Sequence, residues 1–210
     1  MSKLQDTALR PVDLAHRLAC EQRGAEQREE RKSKGQFFTQ PTVARYMASL
    51  LVRPRKTSIS LLDPGAGTGI LSAASCERLA ADSRCEKIRL DAFETCERTV
   101  PRLERVLSVC SEVLEKRGKQ FSYRVHKEDF LFSSADALSN SLFEPGLAGP
   151  YDAVISNPPY GKLPKDDPRV RALSNIVSGR TNLYALFMAV SAEQLADGGR
   201  LIFIVPRSFA

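Results

Sequence analysis

The stretch LLDPGAGTGIL, residues 61–71, joins an apolar run to the start of a helical pattern. Residues 59–63 (ISLLD) read as a short buried strand, the glycines as a tight turn, and residues 69–82 as the helix that follows. Gly65, Gly67 and Gly69 permit positive φ and let a ligand approach bare backbone N–H groups at a helix N-terminus. The spacing is GxGxG, not the GxGxxG of dinucleotide-binding turns, and no Lys-Ser/Thr follows as in a P-loop. Asp63, at the strand end, is suited to accept hydrogen bonds from a cationic amine. A tight strand-to-helix turn with no ligand would use the same glycines.

Downstream of this turn, strand and helix alternate. Residues 88–94 (IRLDAFE), 121–126 (FSYRVH), 151–156 (YDAVIS) and 200–205 (RLIFIV, after the Gly198–Gly199 turn) read as four further strands. Helices are expected at 100–117, with Pro101 in the first turn, and at 182–196. Residues 131–150 and 161–180 read as long loops. Upstream, a helix opened by Pro11 is expected over 11–34, and a second over 41–52, capped by Thr39 or Thr42. The alternation predicts an α/β fold, a doubly wound and mostly parallel sheet with helices on both faces. In such sheets ligands bind beyond the carboxyl ends of the strands. Residues 1–34 are expected to form a charged helical extension, and 35–210 the functional core.

The chain has 210 residues, 42% of them hydrophobic and 27% charged, which suits a folded domain and excludes a low-complexity or fibrous chain. No apolar run approaches the roughly 18–20 residues of a membrane span, and the first residues lack the apolar segment of a secretory signal. Five cysteines without CxxC spacing, and no histidine at ligand spacing from them, suggest neither a disulfide framework nor a metal site; a reducing cytoplasm fits. The net charge of +6 is uneven: residues 1–60 carry 12 basic and 6 acidic side chains, residues 61–210 carry 19 of each. Most of the excess comes from Arg45, Arg53, Arg55 and Lys56, and a basic segment of this kind can face a polyanion.

Three more motifs fall at strand ends. Glu94 lies 31 residues after Asp63 and is placed to take two ribose hydroxyls, although an exposed strand-end charge, or Glu97 in its place, would read alike. Asp129 and Phe130 follow the third strand; an acid beside an aromatic can bond an adenine amino group and stack on its ring. Asn157-Pro158-Pro159-Tyr160 follows the fourth. Its prolines stiffen the turn, so the Asn157 side-chain oxygen and the Pro158 carbonyl can serve as adjacent acceptors, with Tyr160 as a stacking face. That set suits a planar amino group whose lone pair is delocalised. Two acceptors on its hydrogens draw the nitrogen toward a tetrahedral shape and restore nucleophilicity, an electrostatic device rather than a general base. The five Lys/Arg of residues 161–180 are placed to touch phosphates or form a lid, or else belong to a plain surface loop.

On these motifs residues 33–209 resemble the S-adenosylmethionine-dependent DNA adenine-N6 methyltransferases, in the Eco57I-like restriction-modification group whose cofactor motifs precede the catalytic N-P-P-Y. KGQFFTQPTVARYMASLL (34–51) resembles the group's N-terminal motif, and TNLYALFMAVSAEQLADGGRLIFIVPRSF (181–209) its segment after N-P-P-Y. The resemblance implies a Rossmann-like class I methyltransferase fold with S-adenosyl-L-methionine as cofactor and no metal. Phe38 and Thr39 would close its methionine end, Gly65, Ala66 and Gly67 would contact the methionine, and Asp63 would lie near its amino group. Glu94 would hold the ribose, and Asp129 and Phe130 the adenine. Asn157, Pro158, Pro159 and Tyr160 would receive an adenine flipped out of duplex DNA, whose extra proton turns acidic once the nitrogen is methylated. Family members continue beyond the fifth strand, so the last strands and a target-recognition domain are expected to be absent here, with a specificity subunit or that C-terminal domain as partner. N-P-P-Y also serves enzymes acting on guanine N2 of ribosomal RNA and on a protein glutamine, and a non-catalytic subunit could keep the fold.

Overall fold

The computed structural model describes residues 10–25, 38–51, 56–139, 149–164, 166–177 and 182–206. Two helices, α1 (Pro11–Ala25) and α2 (Pro41–Ser49), precede the alternating part. There β1 (Ser58–Asp63), α3 (Ile70–Ala80), β2 (Lys87–Phe93), α4 (Val100–Glu115), β3 (Gln120–His126), α5 (Phe130–Ser139), β4 (Tyr151–Ser156), α6 (Pro168–Ala172), α7 (Leu183–Glu193) and β5 (Leu195–Phe203) follow in order. The five strands form one parallel sheet in the order β3-β2-β1-β4-β5. The doubly wound expectation holds.

Side-chain alternation explains the two layers. Leu61 and Leu90 face a core shared with α1 to α4, whereas Leu62, Phe93 and Val154 face one shared with α5 to α7. The chain winds one way from β1 through β2 to β3, then returns to place β4 on the other side of β1. Neighbouring connections therefore leave β1 and β4 toward opposite faces, and a cleft opens at the carboxyl ends of these two strands.

Several expectations change. The N-terminal helix is described only to Ala25, and residues 26–34, like Arg53, Arg55, 140–148 and 207–209, lie outside the described residues. It is no appendage: Val12, Leu14, Ala15 and Leu18 are buried against α3 and α4, and the Thr68 hydroxyl of the glycine turn donates to the Ala15 carbonyl at 3.1 Å. A boundary after residue 34 would divide one hydrophobic core. The cap of α2 is Gln40 and makes no side-chain bond; neither Thr39 nor Thr42 fills the role. In the segment expected to be a loop from 131, α5 begins at Phe130 and Asp129 caps it, taking the Leu131 N–H on its carboxylate at 2.8 Å. The 161–180 loop contains α6 and sends Leu163, Val170 and Leu173 into the second core. β5 begins before the Gly198–Gly199 turn, which is a bulge within it: Tyr151 pairs with Leu195 and Ala153 with Arg200. Gly198 has φ 74° there, and a Cβ on Gly199 would sit 2.8 Å from the Ala196 carbonyl.

Leu14 is 0% exposed, so Leu14→Ala is expected to cost about 2–5 kcal/mol by the usual cavity penalty. Urea unfolding measures this. A loss below about 0.5 kcal/mol, the surface range, would mean that α1 is not part of the core.

Candidate active site

One cavity of about 730 Å³ occupies the cleft. Its walls come from the ends of all the first four strands and from the segment before α2. Gly65, Ala66 and Gly67 form one side, Glu94 and Phe93 a second, Asp129 and Phe130 a third, and Asn157, Pro158, Pro159 and Tyr160 a fourth. Phe38 and Thr39 reach it from the N-terminal side. Eight of the nine cofactor-site residues set out above, and all four of the N-P-P-Y motif, thus line one space. Asp63 does not.

The glycine turn is shaped by backbone demands. The Ala66 N–H donates to the Phe93 carbonyl at 2.9 Å, which ties the turn to the end of β2. Gly67 has φ 55°, and a Cβ there would project into open space, so the wall at this point is bare backbone. Gly69, with φ 85°, is the residue before α3, and a Cβ on it would lie 2.7 Å from Leu103 Cδ1. Beneath the turn Asp63 is 0% exposed, and its Oδ2 accepts from the Ser72 hydroxyl at 2.7 Å. Its Oδ1 has no hydrogen-bond partner among the described residues. Burial drives its pKa up to about 7, against the hydrogen bond from Ser72 and the pull of the Gly65 and Ser72 amides.

Glu94 is 9% exposed, with Oε1 accepting the Cys96 N–H at 2.7 Å, so its carboxylate is fixed against the 94–99 loop. Beyond it Phe93 stacks on His126 with centroids 4.2 Å apart and meets Phe130 edge-on at 5.4 Å. His126 Nε2 pairs with Asp91 Oδ1 at 2.9 Å, and the Tyr151 hydroxyl donates to Asp91 Oδ2 at 3.1 Å. Burial alone would raise the Asp91 pKa; the bonds from His126 and Tyr151 outweigh it and the net shift is downward. Asp129 both lines the cavity and caps α5.

In the fourth wall the Asn157 Nδ2 donates to Thr39 Oγ1 at 3.1 Å. The Tyr160 hydroxyl lies 2.9 Å from Asn157 Oδ1 and 3.0 Å from the Ile204 carbonyl. Pro158 and Pro159 hold the turn between them, and Tyr184 of α7 lies 6.0 Å from Tyr160, ring to ring. Sequence reasoning reached Arg169 only as one of the five basic residues of 161–180, and missed Gln22 and Phe187. Gln22 of α1 lines the cavity and donates to Thr99 Oγ1 at 2.9 Å. Arg169 closes another side, gripping Asp167 through Nε and Nη2 at 2.9 and 2.8 Å. Phe187 fills the space beside Gly65. For Gln22, remote from the strand ends in sequence, no local signal existed; Phe187 lies on the expected 182–196 helix.

The basic excess is partly spent inside the fold. Arg45 pairs with Asp13 at 2.7 Å and lies 3.5 Å from Glu77, and Lys56 pairs with Asp152 at 2.7 Å. Of the four side chains expected to face a polyanion, these two are engaged with acids.

The parallel order, the switch point and the bare-backbone turn define a class I methyltransferase fold. Solved structures agree in shape: the type IIG restriction endonuclease BpuSI (TM-score 0.56, 20% identity, 94% of this chain and 22% of that one), a type I restriction-modification methyltransferase subunit from Streptococcus thermophilus (0.54, 16%, 81% and 35%), and a protein from Listeria monocytogenes assigned as a class I S-adenosylmethionine-dependent methyltransferase (0.56, 20%, 80% and 45%). Residues 56–210 match the Eco57I restriction-modification methylase family, and the chain belongs to it. It is 30% identical over 179 residues to the type II methyltransferases M.BsuBI of Bacillus subtilis and M.PstI of Providencia stuartii, covering 83% and 85% of this chain. The chain spans about a third of the length of these curated relatives, 34% of each.

Asp63 makes stability depend on pH. Its folded pKa of about 7 exceeds the ordinary 3.8, so between these values the folded state holds a proton that the unfolded chain has lost. Stability from this group is therefore present below about pH 4 and falls as the pH rises toward 7. Asp63→Asn, measured by urea midpoints at pH 5 and 7.5, is expected to gain stability relative to wild type at the higher pH. An unchanged difference between the two proteins across that range would contradict the assignment.

Proposed function

We propose that this chain transfers a methyl group from S-adenosyl-L-methionine to the exocyclic N6 of an adenine swung out of duplex DNA. The observation that carries the reading is that the N-P-P-Y turn and the glycine turn open into the same cavity, at the ends of adjacent parallel strands. Membership of the restriction-modification methylase family supports DNA as the substrate.

The walls suit the cofactor. Bare backbone at Gly65 to Gly67 admits the methionine part, the fixed carboxylate of Glu94 suits a ribose diol, and the Phe130 face with the Asp129 carboxylate suits adenine. Asp63 lies beneath the turn, outside the cavity wall, where the Ser72 hydroxyl holds it. When bound, the cofactor supplies an electrophilic methyl group. On the protein's side, Asn157 Oδ1 and the Pro158 carbonyl accept the N–H bonds of the target amine and localise its lone pair, while Tyr160 stacks on the base. Tyr160 need only yield the hydrogen bond to Asn157 and keep the one to Ile204. Partners implied by the reading are DNA and a recognition element, either a C-terminal domain or a specificity subunit.

The test is tritiated methyl transfer offered in parallel to unmodified duplex DNA, ribosomal RNA and release factor, followed by product analysis. N6-methyladenine in DNA is expected. Methylated glutamine or N2-methylguanine would replace the substrate assignment. Asn157→Ala is expected to lose transfer by about a hundredfold or more, the size typical of a lost transition-state contact, with cofactor affinity by calorimetry nearly unchanged.

A further inference from the structure

The cavity is acidic. Glu94, Glu128, Asp129 and Asp167 stand in its walls against two bases, Lys162 and Arg169, and Arg169 is already gripped by Asp167. An excess of carboxylates suits a cofactor that carries a sulfonium and an ammonium, yet it repels a phosphodiester. Phosphates flanking a base that enters this space therefore need positive charge at the rim to offset that repulsion. On the N-terminal side Arg45 and Lys56 are taken up by acids.

Among the five basic residues of 161–180 the structure singles out one. Lys165 and Arg180 lie outside the described residues, Arg171 is exposed but away from the cavity lining, and Arg169 is held by Asp167. Lys162 lines the cavity two residues after Tyr160, is exposed, and makes no ion pair with a described residue. Its backbone is fixed on both sides. The Gly161 carbonyl accepts the Leu183 N–H at 2.8 Å, Lys162 forms an antiparallel bridge with Asn182, and Leu163 is buried in the second core. A lysine held at its root and free at its tip suits a phosphate, which it meets as a point charge. We infer that Lys162 binds a phosphate next to the flipped nucleotide and so holds the DNA backbone while the base lies against Tyr160. The inference rests on reading the substrate as duplex DNA. It adds a backbone contact to a site otherwise built for the base and the cofactor.

The probe is a duplex oligonucleotide with one adenine opposite an abasic site, since a base without a partner leaves the stack at low cost. Binding by the whole chain is followed by fluorescence anisotropy across a range of salt concentrations. Loss of one phosphate contact lowers the slope of log affinity against log salt by about one, and weakens binding about five- to tenfold at roughly 0.1 M salt. Lys162→Ala is expected to show both changes and Lys162→Arg to keep the wild-type slope. Lys116→Ala, at an exposed lysine beyond the far end of α4, is expected to keep it too. Two further duplexes carry an uncharged methylphosphonate on the 5′ or the 3′ side of that adenine. On one of them Lys162→Ala and wild type are expected to bind alike, because the phosphate that Lys162 holds has lost its charge. A wild-type slope in Lys162→Ala, an undiminished loss on both modified duplexes, or no binding of any duplex by the wild-type chain would overturn the assignment. Failure of the proposed function is read separately, in the methyl-transfer assay on unmodified DNA, and takes this inference with it. A chain that methylates DNA but shows no effect at Lys162 loses the inference alone.

Discussion

The pairing of β1 with β4 in parallel is the constraint on which the site depends. Leu61 and Leu62 register with Ala153 and Val154, which places Asp63 and Ser156 at neighbouring strand ends. Both chains then turn immediately, one through glycines and one through prolines. The glycine turn gives up side chains to expose backbone, and the proline turn gives up backbone freedom to fix acceptors. Neither turn encloses a cavity alone. Their adjacency, forced by a strand order in which β4 inserts beside β1, produces one space with two chemistries.

Around that space, buried polar groups act as fasteners. Asp91 collects His126 and Tyr151 from the strands on either side of β2 and β1, so the edge strand β3 is tied toward β4 through side chains rather than ladders. The His126 ring lies flat on Phe93, and Phe93 and Phe130 continue into the cavity wall. Lys119 works similarly at the opposite end of the sheet, donating to the carbonyls of Asp82 and Cys85. Such groups, paired and desolvated, specify position more than they add stability. Asp63 departs from this pattern, as Ser156 does beside it, since among the described residues its Oδ1 has no hydrogen-bond partner beneath the glycine turn.

The two N-terminal helices supply the remaining wall. Glu77 of α3 accepts the Val12 N–H at 3.1 Å and pairs with Arg10 at 2.6 Å, holding the start of α1, while Arg45 links α2 to Asp13 and Glu77. Each partly exposed pair contributes little alone. Together they orient α2, and the residues entering it from Phe38 point into the site. Charge that seemed free for a polyanion in a count of residues is here used to seat a helix.

Period and punctuation along the chain were enough to reveal the five strands, the main helices and the four strand-end motifs, because burial on alternate faces leaves a period of two and turns demand glycine or proline. Two of the overturned expectations share one cause. FLFSSADALS and PRVRA are short and weakly patterned, and become helices because Asp129 and Asp167 cap them and a neighbouring core receives Phe130, Leu131 and Val170. Likewise Asp63 was legible as a strand-end acid but not as one sealed under its own turn, and Thr39 was legible as a residue near the cofactor motif but not as the partner of an amide 118 positions away. Residue types and spacings determined which chemistry the chain carries. Only tertiary structure decided which groups share the cavity and which way they point, since hydrogen-bond partners and desolvation are properties of neighbours in space, not in sequence.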